Sequence, residues 1–353
     1  MLRRISILWV ALVLPFLLIF PARAGDLALI KARGELVVGV KADYRPFGFR
    51  DAKGKLAGLE VDIAAKLADL LHVRLRLAAV TSSDRLQKLA SGDVDILVAT
   101  LGDTIDRRRL VRMIEPGYYG GGASVLVPRD SPIIDWVDLK GRKLCAVQGA
   151  LWNRLVATRL LAGIRAFGSV RDAELALRDG GCAGWIYDEA AIQDRLSDAD
   201  WADYRMLTPE FISPWAIAVA KDGPLASFLD QTVANWLRTG FLSELEAKWQ
   251  LQPSTYLQQA EALWSQKNQQ GEWLCKIDEN GKWPLECRDL DLIKAQDIQG
   301  IGTAIIALRD KFNVDLTPFY DPFSRTAFLK AMLTTCLLAV AAVFGSLAVG
   351  ISG

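Results

Sequence analysis

The chain has 353 residues, 51% of them hydrophobic, and 42 Lys and Arg against 41 Asp and Glu leave a net charge of +1. That length exceeds one small core and suffices for two lobes and an appendage, while the near-zero charge lacks the electrostatic footprint of a nucleic-acid binder. With one histidine, His72 on a helix-like apolar stretch, and no Cys-x-x-Cys pair, neither a zinc site nor a Ser-His-Asp triad has support, and no cofactor is expected.

Arg3 and Arg4, an apolar run from Ile5 to Phe20 and then Ala22-Arg23-Ala24 read as a secretory signal peptide over residues 1–24. A retained signal anchor is the alternative, and either one exports the domain after it. Leu36 to Val40 predicts a core strand. In Asp43 to Phe49, Pro46 forces an extended turn that holds Tyr44 and Phe47 at the strand end. Asp51 to Gly54 is a hairpin turn. Glu60 to Leu71 is a helix, with Val61, Ile63, Ala64, Leu67, Leu70 and Leu71 forming its apolar stripe. Leu75 to Val80 is a strand, Ser83 to Ala90 a helix and Val94 to Ala99 a buried strand.

That last strand breaks at Gly102 and Asp103 into a turn presenting Thr104, Arg107, Arg108 and Arg109. A guanidinium just past a strand end can clamp a carboxylate by two parallel hydrogen bonds; three arginines can equally be the solvated start of a helix. The strand–helix alternation predicts a parallel α/β sheet, whose ligands bind beyond the strands' carboxyl ends. Tyr44, Phe47, Thr100 and Arg107 all fall there.

Tyr118 to Gly122 is glycine-rich and leads into a strand from Ala123 to Val127, a first crossing into a second lobe. Beyond Asp138 to Gly141 come a strand (Leu144 to Val147), helices (Leu151 to Leu161 and Arg171 to Arg178) and a strand from Gly184 to Tyr187 that ends at Asp188. Ile212 to Ala220 is the return crossing. Leu225 to Leu251 is helical, with Phe228, Leu229, Val233, Trp236 and Leu237 on one face. Two crossings define a hinge and a cleft that can shut. Helices are then predicted at Tyr256 to Lys267 and Ile298 to Phe312. Between them, Cys275 to Cys287 reads as a hairpin with Asn280-Gly281 at its tip; its DENG lacks the spacing of a calcium loop. Ala331 to Gly353 is free of charge and, at ~1.5 Å per residue, roughly 34 Å long, enough to span a bilayer.

The stretch GDVDILVATLGDTIDRRRLVRMIEPGYY resembles the T-x-x-R…P-Y-Y signature of periplasmic solute-binding proteins for polar amino acids, the receptors of ABC importers (bacterial extracellular solute-binding proteins, family 3). The resemblance runs from about Glu35 to Leu251 and takes in LVVGVKADYRPFGFRDAKGKLAGLEVDIAAKLADLL, DLKGRKLCAVQG and CAGWIYDEAAI. It implies a two-lobed α/β fold of the type II periplasmic-binding class, each lobe a mostly parallel sheet with flanking helices. Residues 25–252 would form the solute-binding domain, one lobe about 25–121 with 213–252 and the other about 122–212. A helical linker with the disulfide hairpin (253–326) and a transmembrane helix (327–353) would come after it. FLKAMLTTCLLAVAAVFGSLAVG also resembles the first membrane helix of amino-acid ABC permeases, implying a truncated permease fusion.

The resemblance also assigns a site. Arg107, in ungapped register from Asp95 through Thr104, would hold the ligand's carboxylate; Arg108 fits instead when counted back from Tyr118-Tyr119. Amides of Gly149 and Ala150, at a predicted helix start, would add donors. Asp188 matches the ammonium-binding aspartate, with a helix N-cap as the other reading. Tyr44 and Phe47 would stack on the ligand or pack in the core, and Glu60 or Asp62 would either reach the ligand's side chain or, as expected, lie on the helix surface. Thr100 and Gly102 complete the set through their backbone, although Gly102, Ala150 and Leu151 stand where the family carries hydroxyl residues. Splitting a zwitterion's charges between the lobes would make binding favour closure. Four exported cysteines permit three pairings; those expected are Cys145–Cys182, on strands that the resemblance makes parallel neighbours, and Cys275–Cys287, with reduced thiols as the alternative. The implied function is capture of an amino acid for delivery to an ABC permease and its ATPase, without enzymatic turnover, by a periplasmic domain tethered to the inner membrane. A transmembrane sensory receptor and a periplasmic enzyme on the same scaffold are the alternatives.

Overall fold

The computed structural model describes residues 26–279, 281–288, 308, 311–312, 316 and 322–352. The expected signal peptide, and the expected helix Ile298–Phe312 except for Leu308, Lys311 and Phe312, lie outside the described residues.

The first lobe is built on a sheet whose first strand in the chain, β1 (Glu35–Lys41), is buried from Leu36 onward. A short helix not expected from the sequence, α1 (Leu27–Arg33), precedes it; Asp26 caps its start and Gly34, in the left-handed conformation, closes it. The turn after β1 carries β2 (Asp43–Tyr44), β3 (Gly48–Arg50) and β4 (Leu56–Ala57), a small antiparallel sheet. Then come α2 (Leu59–Leu71), β5 (Arg74–Val80), α3 (Arg85–Ser91), β6 (Ile96–Leu97), α4 (Ile105–Arg108) and β7 (Arg112–Met113).

The chain crosses on β8 (Tyr119–Pro128). The second lobe holds β9 (Lys143–Val147), α5 (Trp152–Arg159), β10 (Gly163–Phe167), α6 (Val170–Arg178), β11 (Gly184–Asp188), α7 (Glu189–Leu196) and β12 (Tyr204–Met206). It returns on β13 (Glu210–Trp215) to β14 (Ala218–Val219). Gly240, with φ 75°, splits the expected long helix into α8 (Pro224–Thr239) and α9 (Phe241–Lys248).

Strand order is β5-β1-β6-β14-β7 in the first lobe and β10-β9-β11-β8-β12 in the second, where β13 also pairs with β8. These sheets are mixed rather than mostly parallel. β5–β1–β6 and β10–β9–β11 are parallel, as helical crossovers require. The strands by which the chain enters and leaves, β8, β13 and β14, run antiparallel to their neighbours because they carry it back between lobes.

The stretch expected as a linker is docked where it is described. Ser254 Oγ donates to the Gly120 carbonyl at 2.9 Å, at the start of α10 (Thr255–Trp264). Trp283 Nε1 donates to the Glu115 carbonyl at 2.8 Å, and its ring meets that of Trp264 at 4.8 Å. Cys275 joins Cys287 and Cys145 joins Cys182, with S–S distances of 2.12 and 2.07 Å. The expected hairpin is only a turn: the Asp278 amide donates to the Lys282 carbonyl at 2.8 Å and no strand ladder extends it among the described residues. Pro284 lacks a ladder donor, and Trp283 and Arg288 are bonded to the first lobe instead.

The last element is α11 (Pro322–Ser352). The side chains described without interruption along it, Phe328 to Phe344, are exposed all round. Among the described residues no helix is long and apolar enough to cross a membrane, so the expected span over 327–353 is not part of the described fold.

Candidate functional site

The carboxyl ends of β1 and β6 face those of β9 and β11, and the lobes are shut on one another. Arg154 Nη1 of the second lobe pairs with Asp106 of the first at 3.0 Å, and the Tyr44 and Tyr187 rings meet across the cleft at 5.3 Å.

Thr104 places Arg107. It is the N-cap of α4, its Oγ1 accepting from the Arg107 amide at 3.2 Å. Arg107 Nη1 donates to the Gly102 carbonyl at 2.7 Å and Nη2 to the Gly149 carbonyl of the other lobe at 3.2 Å. Burial and neighbouring Arg85 lower its pKa, with Asp188 pulling the other way. A guanidinium stays charged in proteins, so the shift marks a cation short of counter-charge. Arg108 has a different role: Nε and Nη2 hold Asp103 at 2.7 and 2.5 Å, and Nη1 meets Glu115 at 2.5 Å. Its fork is filled within its own lobe.

Asp188 ends β11, and its side chain caps nothing. Its Oδ1 accepts from Trp152 Nε1 at 2.6 Å. Burial pushes its pKa up to about 6, against the Trp152 hydrogen bond and the fields of Arg85 and Lys41. No ion pair joins Arg107 to Asp188 among the described residues, although each lies in the other's field.

Tyr44 and Phe47 are 1% and 0% exposed, so in the shut state they are packed side chains. They belong to an aromatic cluster with Tyr119, Tyr187 and Trp215; the Phe47 and Trp215 rings lie 4.9 Å apart. Thr100 has φ 45°, unusual for a β-branched residue and common where strain is held at a site. Its amide donates to Glu60 Oε1 at 2.5 Å, and its carbonyl accepts from Arg85 Nη1 at 3.0 Å. Gly102 bridges to Trp215 on the return crossing. Gly149 offers Arg107 a carbonyl rather than an amide, and the Ala150 amide is spent on the Val147 carbonyl at 3.1 Å.

Glu60 is not on the helix surface. It is fully buried, accepts from Tyr118 Oη at 2.5 Å as well as from Thr100, and is pushed up to about 7 by burial. Asp62 is on the surface, accepting from Trp249 Nε1 at 2.7 Å. Sequence reasoning missed Lys41, Arg85, Trp152 and Trp215. Two of these left a signal: Lys41 is a charge ending an apolar strand, and Arg85 is a cation at a helix start, where the dipole opposes it.

Two α/β lobes joined by paired crossing strands and closed over a polar cleft define a two-lobed periplasmic-binding-protein fold. The model of the bacterial extracellular solute-binding proteins, family 3, matches residues 36–252, and the chain belongs to that family. It is 30% identical over 236 residues to the ABC transporter glutamine-binding protein GlnH of Bacillus subtilis, covering 65% of this chain and 85% of the relative. Among solved structures, a mutant of ArgBP from T. maritima superposes with a TM-score of 0.59 at 26% identity, covering 63% of this chain and 98% of that one. The ancestral amino acid-binding protein AncCDT-1, a precursor of cyclohexadienyl dehydratase, gives 0.57 at 27% identity over 63% of this chain and 98% of that one.

Gly149 sets how closely the lobes meet. Its φ is 78°, and a Cβ there would lie 2.4 Å from the Ser82 carbonyl of the opposite lobe. Gly149→Ala is expected to hold the lobes apart, seen as a larger radius of gyration than the native chain by small-angle scattering with far-UV circular dichroism unchanged. Equal radii would show that Gly149 does not limit closure.

Proposed function

We propose that this protein is the substrate-binding component of an amino-acid ABC importer. It captures a small zwitterion between its lobes, residues of about 25–121 and 213–252 forming one and 122–212 the other, and delivers it to a permease driven by an ATPase. The carrying observation is the pair of half-buried, opposite charges contributed by different lobes without being paired to each other: the Arg107 guanidinium and the Asp188 carboxylate. A ligand carboxylate on Arg107 and a ligand ammonium on Asp188 would supply to each charge what the protein leaves out, and only in the shut state. Family membership and the GlnH likeness support the same reading. Thr100 and Gly102 shape the first-lobe wall, Gly149 and Ala150 the second, and Tyr44 and Phe47 pack behind the ligand.

We further propose export of the domain by the signal peptide of residues 1–24. The support is Arg3 and Arg4 ahead of the apolar run from Ile5 to Phe20 and the Ala22-Arg23-Ala24 that follows it. The likeness to a dehydratase precursor favours one second reading, an enzyme on this scaffold; turnover of a bound amino acid by the purified chain would establish it.

A bound ligand stabilises the native state by mass action. One amino acid of a panel is expected to raise the melting temperature of the native chain. Arg107→Ala and Asp188→Ala should each remove that rise with the fold intact, and binding retained in both would place the site elsewhere. The pH dependence comes from Asp188. Its pKa in the empty protein is raised to about 6, so the empty protein loses stability as pH rises through that value. A ligand ammonium compensates the ionised form only, so the ligand-induced rise should be larger at pH 7 than at pH 5, and Asp188→Asn should flatten the difference.

A further inference from the structure

Beyond the zwitterion pair, the cleft holds two more buried cations. Arg85, 2% exposed, opens α3 at the first-lobe wall. Its Nη1 donates to the carbonyls of Ala99 and Thr100, its Nε has no hydrogen-bond partner, and it forms no ion pair among the described residues. The carboxylates whose fields reach it are Glu60 and Asp188. Glu60 Oε1 is already engaged by Thr100 and Tyr118, and burial holds this acid near its titration point at neutral pH. Lys41, fully buried at the end of β1, bonds Ser82 Oγ and Asp43 Oδ1, both at 2.9 Å. Asp188 feels both cations.

The charges do not close around a plain zwitterion. Its carboxylate would answer Arg107 and its ammonium would use up Asp188. Lys41 and Arg85 would then share Asp43 and a partly protonated Glu60. A buried guanidinium bonded only to neutral carbonyls is costly, and a ligand anion would relieve it. A cationic side chain would add to the excess, and a carboxamide would leave it unchanged.

We propose, resting on the reading above, that the ligand is an amino acid with an anionic side chain, a dicarboxylic amino acid whose second carboxylate lies against Arg85 with Lys41 behind it. Arg85 is the specificity-determining residue; it separates an acid from its amide, whereas Arg107 and Asp188 accept any α-amino acid.

The experiment is calorimetric titration of the full chain in detergent with L-glutamate, L-aspartate, L-glutamine, L-asparagine and L-arginine. One of the two acids is expected to bind at least tenfold more tightly than its amide. Arg85→Gln should bring that ratio close to one by weakening the acid alone, with the amide affinity kept. Lys41→Gln should lower the ratio by less, and it serves as the test if Arg85→Gln fails to fold by circular dichroism. A native chain that binds an amide or arginine tenfold more tightly than either acid overturns the inference and leaves the amino-acid reading standing, as does an unchanged acid-to-amide ratio in the folded variants. Absence of binding to every amino acid overturns both.

Discussion

Closure in this protein is a problem of charge burial. In the shut form Arg107, Arg85 and Lys41 stand on one side of the cleft and Asp188 on the other, and among the described residues no ion pair joins them across the gap. Carbonyl dipoles stand in: Gly102 and Gly149 for Arg107, Ala99 and Thr100 for Arg85. An indole N–H does the same for Asp188. Dipoles offset only part of the desolvation cost of an ion. An ion of the right sign placed against each group therefore gains more here than in water. A ligand carrying the complementary charges would bind the shut form better than either lobe alone, and such a differential affinity is what closes a hinged body.

The hinge is shaped to make that gain transmissible. Tyr44, Phe47, Tyr119, Tyr187 and Trp215 interlock where the crossing strands leave the first lobe, so the two walls of the cleft share a single aromatic cluster. On the outside of the same crossing, the Tyr256 ring of the docked appendage lies against Gly120 so closely that a Cβ there would meet it at 2.4 Å. The appendage is thus packed on β8 itself, the strand through which the lobes are joined, and its disulfide loop reaches Glu115 by way of Trp283 and Arg288.

The sequence carries the alternation of strands and helices well because that alternation is written in apolar periodicity, which burial enforces residue by residue. It carries the mixed direction of the sheets poorly, since the direction of β8, β13 and β14 depends on where the chain must return and not on their composition. Buried charges are the least legible feature. Glu60 sits on a helix whose polar positions otherwise face solvent, as Asp62 does. Only the location of Thr100 and Tyr118 on other elements turns Glu60 inward. Arg85 looks like an ordinary solvated helix start until the strand end beneath it is in place. Trp152 and Trp215 read as bulky core residues, and what they touch at the cleft is settled by two elements distant in sequence.

The neighbouring arginines show how local physics divides functions that a linear pattern leaves ambiguous. Once Thr104 caps α4, consecutive residues on that helix are turned about 100° apart. Arg107 and Arg108 therefore cannot face the same way, and one of them must find its counter-charges inside its own lobe. Asp103, two residues before the helix, and Glu115, two residues past the next strand, stand where Arg108 rather than Arg107 reaches them. That pairing is nearly complete: a bidentate fork on one carboxylate and a third contact to another, with Arg288 of the appendage closing Glu115 from the far side. Arg107 is left with two carbonyls and no acid. The register counted forward from Asp95 and the one counted back from the tyrosines each find a real arginine, one aimed at the gap and one that ties the wall of the site together.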